Sequence, residues 1–253
     1  MSNPIIFITG ATAGFGKACA EKFAAGGYDL ILTGRRQERL EDLRQTLENT
    51  YGIQVLSLAF DIRNFNACEK AVSSLSGHWK NISILLNNAG LAMEMAPIDE
   101  GEISDWETMI DTNIKGLLYI SRLIIPLLKE KGHGHVINIG STSAKDVYPG
   151  GGVYCATKHA VGALSEAMRI DLLPYGIKVT AIHPGAAETE FSLVRFKGDE
   201  KKAKDVYNGY TPLHAEDIAA VVYFCATQPP HVCINDLVVT ATAQANALFF
   251  HKQ

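Results

Sequence analysis

Short apolar runs alternate with longer amphipathic segments throughout this chain of 253 residues. The apolar runs predict buried strands at residues 5–9, 30–33, 55–60, 82–87, 135–139, 178–183 and 237–240. The segments between them predict helices at residues 14–25, 37–48, 67–75, 104–131, 154–173 and 215–226, with a kink expected at Pro126. Strands joined by helices pair in parallel and are buried on both faces. The pattern therefore predicts an α/β fold, a doubly wound parallel sheet flanked by helices on both faces.

No linker-like composition, internal repeat or low-complexity tract interrupts this alternation, so we expect residues 1–253 to form a single domain. The one long stretch without a regular pattern is 184–202, which we expect to be irregular. A loop of that length in a compact α/β domain is usually functional, and we place a substrate loop at about 184–210. Ligands of such sheets bind beyond the carboxyl ends of the strands.

Charge and cysteine content exclude several classes of partner. The formal net charge is −4, so no broad basic surface favours nucleic acid. The five cysteines form no C-x-x-C pair, and a scattered, odd-numbered set is typical of reduced thiols in the cytoplasm. The first residues lack the features of a signal peptide, and no apolar stretch approaches the roughly 20 residues of a membrane span. We expect a cytoplasmic protein that binds neither nucleic acid nor a membrane.

A glycine-rich turn lies between the first predicted strand and the first predicted helix, with the spacing G-x-x-x-G-x-G. Glycine permits a tight turn and close backbone approach, and the helix N-terminus presents free N–H groups to a pyrophosphate. A plain strand–helix turn is the alternative. The setting favours a Rossmann-type dinucleotide site. The residues expected to contact the cofactor here are Gly10, Ala11, Thr12, Ala13, Gly14, Phe15 and Gly16.

The end of the second predicted strand indicates which dinucleotide is bound. An NAD site places an acidic residue here, whereas this chain has Arg35 and Arg36. Guanidinium groups suit a 2′-phosphate, so we expect NADP as the cofactor; a solvated basic helix start is the alternative, since Glu38 and Arg39 follow. Later strand ends add further expected cofactor contacts, which ordinary turn chemistry would also explain. These residues are Asp61, Ile62, Asn88, Ala89 and Gly90.

Tyr154 and Lys158 lie four residues apart and so share one face of a predicted helix. A nearby ammonium lowers the pKa of a tyrosine, which can then exchange a proton with an alcohol or a carbonyl. Ser141 follows the fifth predicted strand, where its hydroxyl could hold the substrate oxygen. Asn113 could anchor a water that relays protons to Lys158. Each has a structural alternative: Y-x-x-x-K is common, Ser141 could be a helix cap, and Asn113 could simply be tolerated in its helix.

Together these motifs resemble the short-chain dehydrogenase/reductase family over essentially the whole chain. The glycine turn, Asn87-Asn88-Ala89-Gly90, the Tyr–Lys pair and Pro184-Gly185 occur in the family's order and spacing. The resemblance implies a catalytic tetrad of Asn113, Ser141, Tyr154 and Lys158, with Tyr154 and Lys158 also contacting the cofactor. It further implies that the segment 184–192 covers the nicotinamide. The residues expected to contact it are Pro184, Gly185, Ala187 and Thr189.

A narrower resemblance is to NADP-dependent 3-hydroxy acid dehydrogenases, carried by Gly10–Gly16, 33–40, 105–113 and 194–199. It implies oxidation of serine, 3-hydroxypropionate or 3-hydroxyisobutyrate, and close relatives reduce sulfoacetaldehyde. The segment 185–191 departs from that subgroup because it lacks extra glycines. A non-catalytic NADP(H)-binding protein would have lost a tetrad member, and a sugar-nucleotide epimerase usually has a larger C-terminal domain.

A hydroxy acid brings a carboxylate into a chain that is net acidic, so a local cation must hold it. We predict Arg195 in that role, with Ser141, Tyr148 and Tyr154 as further substrate contacts, and Lys197 as a solvated charge. The alternative is that Arg195 begins a surface helix. No metal site is expected. The apolar character of helices 104–131 and 154–173, through which the family pairs its subunits, predicts a homotetramer.

Overall fold

A computed structural model describes residues 3–253. Met1 and Ser2, part of the stretch in which no signal peptide was predicted, lie outside the described residues. Seven parallel strands form one sheet in the order β3-β2-β1-β4-β5-β6-β7, which confirms the predicted fold class. The strands are β1 Ile5–Ile8, β2 Asp29–Gly34, β3 Val55–Ala59, β4 Ile82–Asn87, β5 Gly134–Ile139, β6 Ile177–Pro184 and β7 Asp236–Val239.

Helices cover both faces of this sheet. They are α1 Gly14–Ala25, α2 Gln37–Tyr51, α3 Phe65–Ser73, α4 Ile103–Ile110, α5 Leu117–Lys131, α6 Gly152–Leu172, α7 Glu190–Arg195, α8 Glu200–Asp205 and α9 Ala215–Ala226. None of these helices is both long and apolar enough to cross a membrane, as far as the described residues extend.

Alternate side chains of each strand supply two separate cores. Ile6 and Ile8 of β1 pack on the side of α1, α2 and α9, whereas Ile5 and Phe7 pack on the side of α3, α5 and α6. All four are fully or almost fully buried. Because successive side chains of a strand point to opposite faces, a continuous apolar run is what a sheet covered on both sides requires.

The predicted helix 104–131 is interrupted at a point that the sequence does not mark. A wider π-helical turn, Asp111–Gly116, separates α4 from α5, and α5 continues through Pro126. Such turns insert an extra residue and are frequent at functional sites. The turn contains Asn113.

The prediction that residues 184–202 are irregular is wrong. The short helices α7 and α8 lie there, capped at their N-termini by the side chains of Thr189 and Asp199. Each helix has six residues, too few for an apolar periodicity to be visible in the sequence. Residues 184–210, termed below the 184–210 segment, lie across the carboxyl ends of the central strands.

Candidate active site

The glycine turn after β1 is built for close approach to a ligand. Gly10 and Gly14 have positive φ angles, of 68° and 50°, which other residues rarely adopt. A Cβ on Gly16 would lie 2.3 Å from the carbonyl oxygen of Gly10, so no larger residue fits there without a shift. No side chain caps the N-terminus of α1, which leaves its first N–H groups available to an anion.

Not every residue predicted in this turn faces the cleft. Gly10, Thr12, Ala13, Gly14 and Phe15 line it. Ala11 is fully buried in the core and its N–H donates to the carbonyl of Thr33 at 2.9 Å. Ala11 therefore supports the turn, and Gly16 shapes it.

The end of β4 braces the turn from the other side. The amide of Asn88 donates to the carbonyl of Thr9 at 2.8 Å, and the hydroxyl of Thr9 accepts from the N–H groups of Asn88 and Ala89. Gly90 lies beside the tetrad, since a Cβ there would be 3.3 Å from Asn113 Oδ1 and 3.4 Å from Lys158 Nζ. The strand end thus joins the glycine turn to the predicted reaction centre.

The arginine end of the cleft carries a contact that the sequence did not predict. Arg36 donates to the hydroxyl of Thr12 at 2.9 Å and to the carboxylate of Glu190 at 2.9 Å. Arg39 donates to the other oxygen of the same carboxylate at 2.8 Å. Arg35 also lines the cleft, while Asp61 pairs with Arg63 at 2.6 Å.

Tyr154 and Lys158 lie side by side, both buried, on α6. The Lys158 ammonium is 5.9 Å from the centroid of the Tyr154 ring and donates to the carbonyl of Ile139 at 3.0 Å. Burial lowers the pKa of Lys158 to about 8.

The expected lowering of the Tyr154 pKa is not found. Burial, reinforced by Tyr148, raises that pKa above its ordinary value, and the lowering by Ser141 and Arg195 is smaller. Desolvation exceeds the effect of nearby charges here. The phenol of Tyr154 is therefore protonated at neutral pH.

Ser141 and Asn113 are both held by defined hydrogen bonds. The Ser141 hydroxyl accepts from the N–H of Ser143 at 3.1 Å, which caps a short 3₁₀ turn at Thr142–Ala144. Beneath it lies the buried ring of His183, with Nδ1 3.2 Å from the Ser141 carbonyl oxygen and Nε2 3.0 Å from Asp236 Oδ2. The sequence had given His183 only as the end of a strand.

The side chain of Asn113 is engaged mainly with the protein itself. Its NH₂ donates to the carbonyl of Leu91 at 2.8 Å and to the hydroxyl of Thr157 at 3.0 Å, and Oδ1 accepts from the N–H of Leu91. A water at Asn113 would therefore have to use the remaining oxygen lone pair or the main chain. The side chain connects α6 to the loop that follows β4, a role that its sequence context did not reveal.

The first residues of the 184–210 segment lie over the glycine turn. Thr189 caps α7 through its hydroxyl, and its Cβ would lie 3.4 Å from a Cβ placed on Gly14. Pro184, Gly185 and Ala187 also line the cleft. This is where a segment that covers a bound dinucleotide would have to lie.

Arg195 lies at the end of α7, against the face of the reaction centre. Its Nη2 donates to the hydroxyl of Tyr148 at 2.8 Å, and its guanidinium carbon is 5.6 Å from the centroid of the Tyr154 ring. The Nε atom is buried and has no hydrogen-bond partner among residues 3–253. A buried N–H without a partner is costly, so this atom points to a ligand.

A cavity of about 510 Å³ opens beside Tyr154 and Arg195. Its apolar wall includes Met93, Met95, Trp106, Met109 and Val153, and its rim carries Glu94, Glu102 and Asp105. The sequence did not predict that these residues line a cavity, because they come from the irregular stretch after β4, from α4 and from the start of α6. This cavity shares Tyr148, Tyr154 and Arg195 with a second cleft of about 700 Å³, which most of the predicted cofactor contacts line.

Lys197, expected to be a solvated charge, has a partner. Its ammonium is 2.9 Å from the carboxylate of Asp105, and Lys202 lies 3.5 Å from Glu94. These pairs connect the 184–210 segment to the rim of the cavity. No group of three or more His, Cys, Asp or Glu side chains that could hold a metal ion occurs within the described range.

The family model for short chain dehydrogenases matches residues 4–199. The chain belongs to the short-chain dehydrogenase family. This confirms the resemblance inferred from the sequence and makes the chain a member of a family of oxidoreductases.

Among the similar members of the family is the NADP-dependent 3-hydroxy acid dehydrogenase YdfG of Escherichia coli strain K12, 46% identical over 252 residues, with 98% of this chain and all of that protein covered. A sulfoacetaldehyde reductase of Chromohalobacter salexigens is 44% identical over 245 residues, 96% of each chain. A solved structure of serine dehydrogenase in a closed form with NADP+ is 46% identical, with a TM-score of 0.91 over 98% of this chain and all of that one. The narrower resemblance inferred from the sequence is thus confirmed.

Proposed function

We propose that this short-chain dehydrogenase interconverts a small 3-hydroxy acid and its semialdehyde or ketone, with NADP as the hydride carrier. The substrate class comprises serine, 3-hydroxypropionate and 3-hydroxyisobutyrate. The observation that carries this proposal is Arg195, a cation beside Tyr154 whose buried Nε finds no hydrogen-bond partner within the described part of the chain. The relatives named as 3-hydroxy acid and serine dehydrogenases support it.

The cofactor cleft suits NADP in shape and charge. The glycine turn and the uncapped end of α1 would receive the pyrophosphate, while Arg35 and Arg36 would receive the 2′-phosphate. Asp61, Ile62, Ala89 and Gly90 would contact the adenosine and ribose portions, and Thr189 the carboxamide. When bound, NADPH supplies the hydride to the carbonyl carbon.

Proton transfer is then the work of Tyr154. In reduction its phenol donates a proton to the carbonyl oxygen, and in oxidation its phenolate accepts the proton of the alcohol. The Ser141 hydroxyl orients that oxygen, and the Lys158 ammonium would hold the nicotinamide ribose. Asn113 links α6 to the loop after β4, and its remaining oxygen lone pair offers a place for a relay water.

Arg195 and Tyr148 would hold the acid group of the substrate. A guanidinium fork can donate two parallel hydrogen bonds to a carboxylate, and Nε is one of the two donors needed on one edge of the fork. The same fork accepts a sulfonate. Because a similar relative is a sulfoacetaldehyde reductase, sulfoacetaldehyde is the second candidate substrate.

The test replaces Arg195 by alanine and measures two substrates of similar size, a hydroxy acid and a neutral alcohol. We expect kcat/KM for the acid to fall roughly ten- to a hundredfold, which corresponds to a loss of about 1.5–3 kcal/mol of transition-state stabilisation. The kcat/KM for the alcohol should fall much less. Lys197→Ala is the matched control, since it removes a cation from the same segment but one that faces Asp105. An equal loss on both substrates would mean that Arg195 only supports the segment.

The assembly and location are also proposals. Exposed apolar side chains on the two long helices, Leu118 on α5 and Ile170 on α6, support a homotetramer. Four of the five cysteines are buried and all are free in the described chain, in keeping with a cytoplasmic location.

A further inference from the structure

Glu190, the first residue of α7, reaches across the cofactor cleft to the arginines that follow β2. Its two carboxylate oxygens lie 2.9 Å from Arg36 Nη1 and 2.8 Å from Arg39 Nη1. Glu190 is 154 positions along the chain from Arg36 and 151 from Arg39. The contact is therefore made by the fold and not by local helix geometry.

The arrangement is that of one anion held between two guanidinium groups. Desolvation would raise the pKa of Glu190, but hydrogen bonds from Arg36 and Arg39 outweigh it, so that the pKa is lowered and the group stays ionised. The other nearby acid, Asp61, is engaged by Arg63. Among residues 3–253, Glu190 is the acid that neutralises Arg36 and Arg39.

We propose that the Glu190 carboxylate occupies the position of the cofactor's 2′-phosphate and competes with it for Arg36 and Arg39. This rests on the proposed NADP site and adds Arg39 to it. A dianionic phosphate displaces a single carboxylate, because it carries more charge and more acceptor oxygens. Glu190 is thus a specificity-determining residue that weakens the preference for NADP+ over NAD+ that the arginines provide.

The consequence differs for the two cofactors. NADP+ must break both ion pairs of Glu190 before its 2′-phosphate can bind, and the loss of these pairs lowers the affinity for NADP+. NAD+ has a hydroxyl at the same place and leaves Glu190 paired, so the arginines are not left as uncompensated charges beside it. Removal of the carboxylate should therefore favour NADP+ selectively.

The experiment is a binding titration of NADP+ and NAD+ by calorimetry, on Glu190→Gln without any hydroxy acid present. We expect NADP+ to bind about three- to tenfold more tightly, since exposed ion pairs are individually weak, and NAD+ to change by less than about twofold. Glu188→Gln is the matched control, with the same charge change two residues away in the same segment. It should leave both affinities nearly unchanged.

Arg39→Gln completes a double-mutant cycle with Glu190→Gln. Arg39→Gln alone should weaken the binding of NADP+. In a protein that already carries Arg39→Gln, the increase in NADP+ affinity caused by Glu190→Gln should be smaller. Three results would each overturn the competition proposal. Glu190→Gln could bind both cofactors more weakly, it could bind NADP+ no more tightly than the unmodified protein, or Glu188→Gln could increase the NADP+ affinity equally. If replacement of both Arg36 and Arg39 leaves NADP+ affinity unchanged, the proposed 2′-phosphate site fails as well. Because no turnover is measured, errors in the proposed substrate or proton donor do not affect these outcomes.

Discussion

Tyr154 and Lys158 are buried next to each other. Burial raises the pKa of Tyr154 and lowers the pKa of Lys158, which favours the neutral form of each side chain. Tyr154 remains a phenol at neutral pH, the form in which the proposed mechanism uses it as a proton donor. Lys158 remains largely protonated below its pKa of about 8. These are the protonation states that the proposed carbonyl reduction requires.

Tyr154→Phe should keep the fold and the cofactor affinity but lower kcat at least about a hundredfold, because the proton donor is lost while the ring still packs against Phe191. Steady-state kinetics and a cofactor titration on the purified variant measure the two effects separately. A kcat like that of the unmodified protein would exclude proton transfer by Tyr154.

The pH dependence follows from the same two groups. Lys158 is a base with a lowered pKa, so it is charged below about pH 8 and neutral above it. The kcat/KM for carbonyl reduction should be level near neutrality and fall as the pH rises through about 8, since the charge of Lys158 and then the proton of Tyr154 are lost. Alcohol oxidation should rise with pH, because it needs the phenolate. A reduction rate that increases through pH 8 would contradict this assignment.

The turn between β1 and α1 has little freedom to change. The Cβ of Gly16→Ala would meet the carbonyl oxygen of Gly10 at 2.3 Å and the amide of Asn88 at 2.6 Å. We expect a loss of about 1–3 kcal/mol in the free energy of unfolding, together with weaker cofactor binding. Urea denaturation measures the first effect. The neighbouring Lys17→Ala, an exposed change on the same helix, should leave stability within about 0.5 kcal/mol.

The periodicity of the sequence predicted the sheet and the long helices, since these depend on burial patterns. Tyr154 and Ser141 were proposed from local spacing and the family resemblance, and Arg195 from its charge in the segment after β6. It did not predict α7 and α8, whose six residues complete fewer than two helical turns. The π-helical turn at Asn113 leaves the apolar pattern on either side intact. The contact of Glu190 with Arg36 joins residues 154 positions apart, so it depends on the tertiary structure and cannot be predicted from a local sequence pattern.

At the scale of the whole molecule, the exposed apolar side chains call for a partner surface. Ile170 and Leu173, at the end of α6, are 74% and 76% exposed, and Phe249 near the C-terminus is 69% exposed. Such a surface is a liability in a monomer. Light scattering at micromolar concentration should give the mass of a homotetramer, and Ile170→Glu with Leu173→Glu should reduce it. A monomeric mass for the unmodified protein would contradict the predicted assembly.

The most direct test of the proposed function is a comparison of hydroxy acids with matched neutral alcohols, each with NADP+ and NAD+. Initial rates with serine, 3-hydroxypropionate and 3-hydroxyisobutyrate give kcat/KM for the acids, and alcohols of similar size without the acid group give the reference. We expect the best acid to exceed its alcohol by about ten- to a hundredfold with NADP+, the effect of one charged hydrogen-bonding partner. The preference for NADP+ over NAD+ should appear with every substrate. Equal kcat/KM for acids and alcohols, or turnover that is faster with NAD+, would contradict the account.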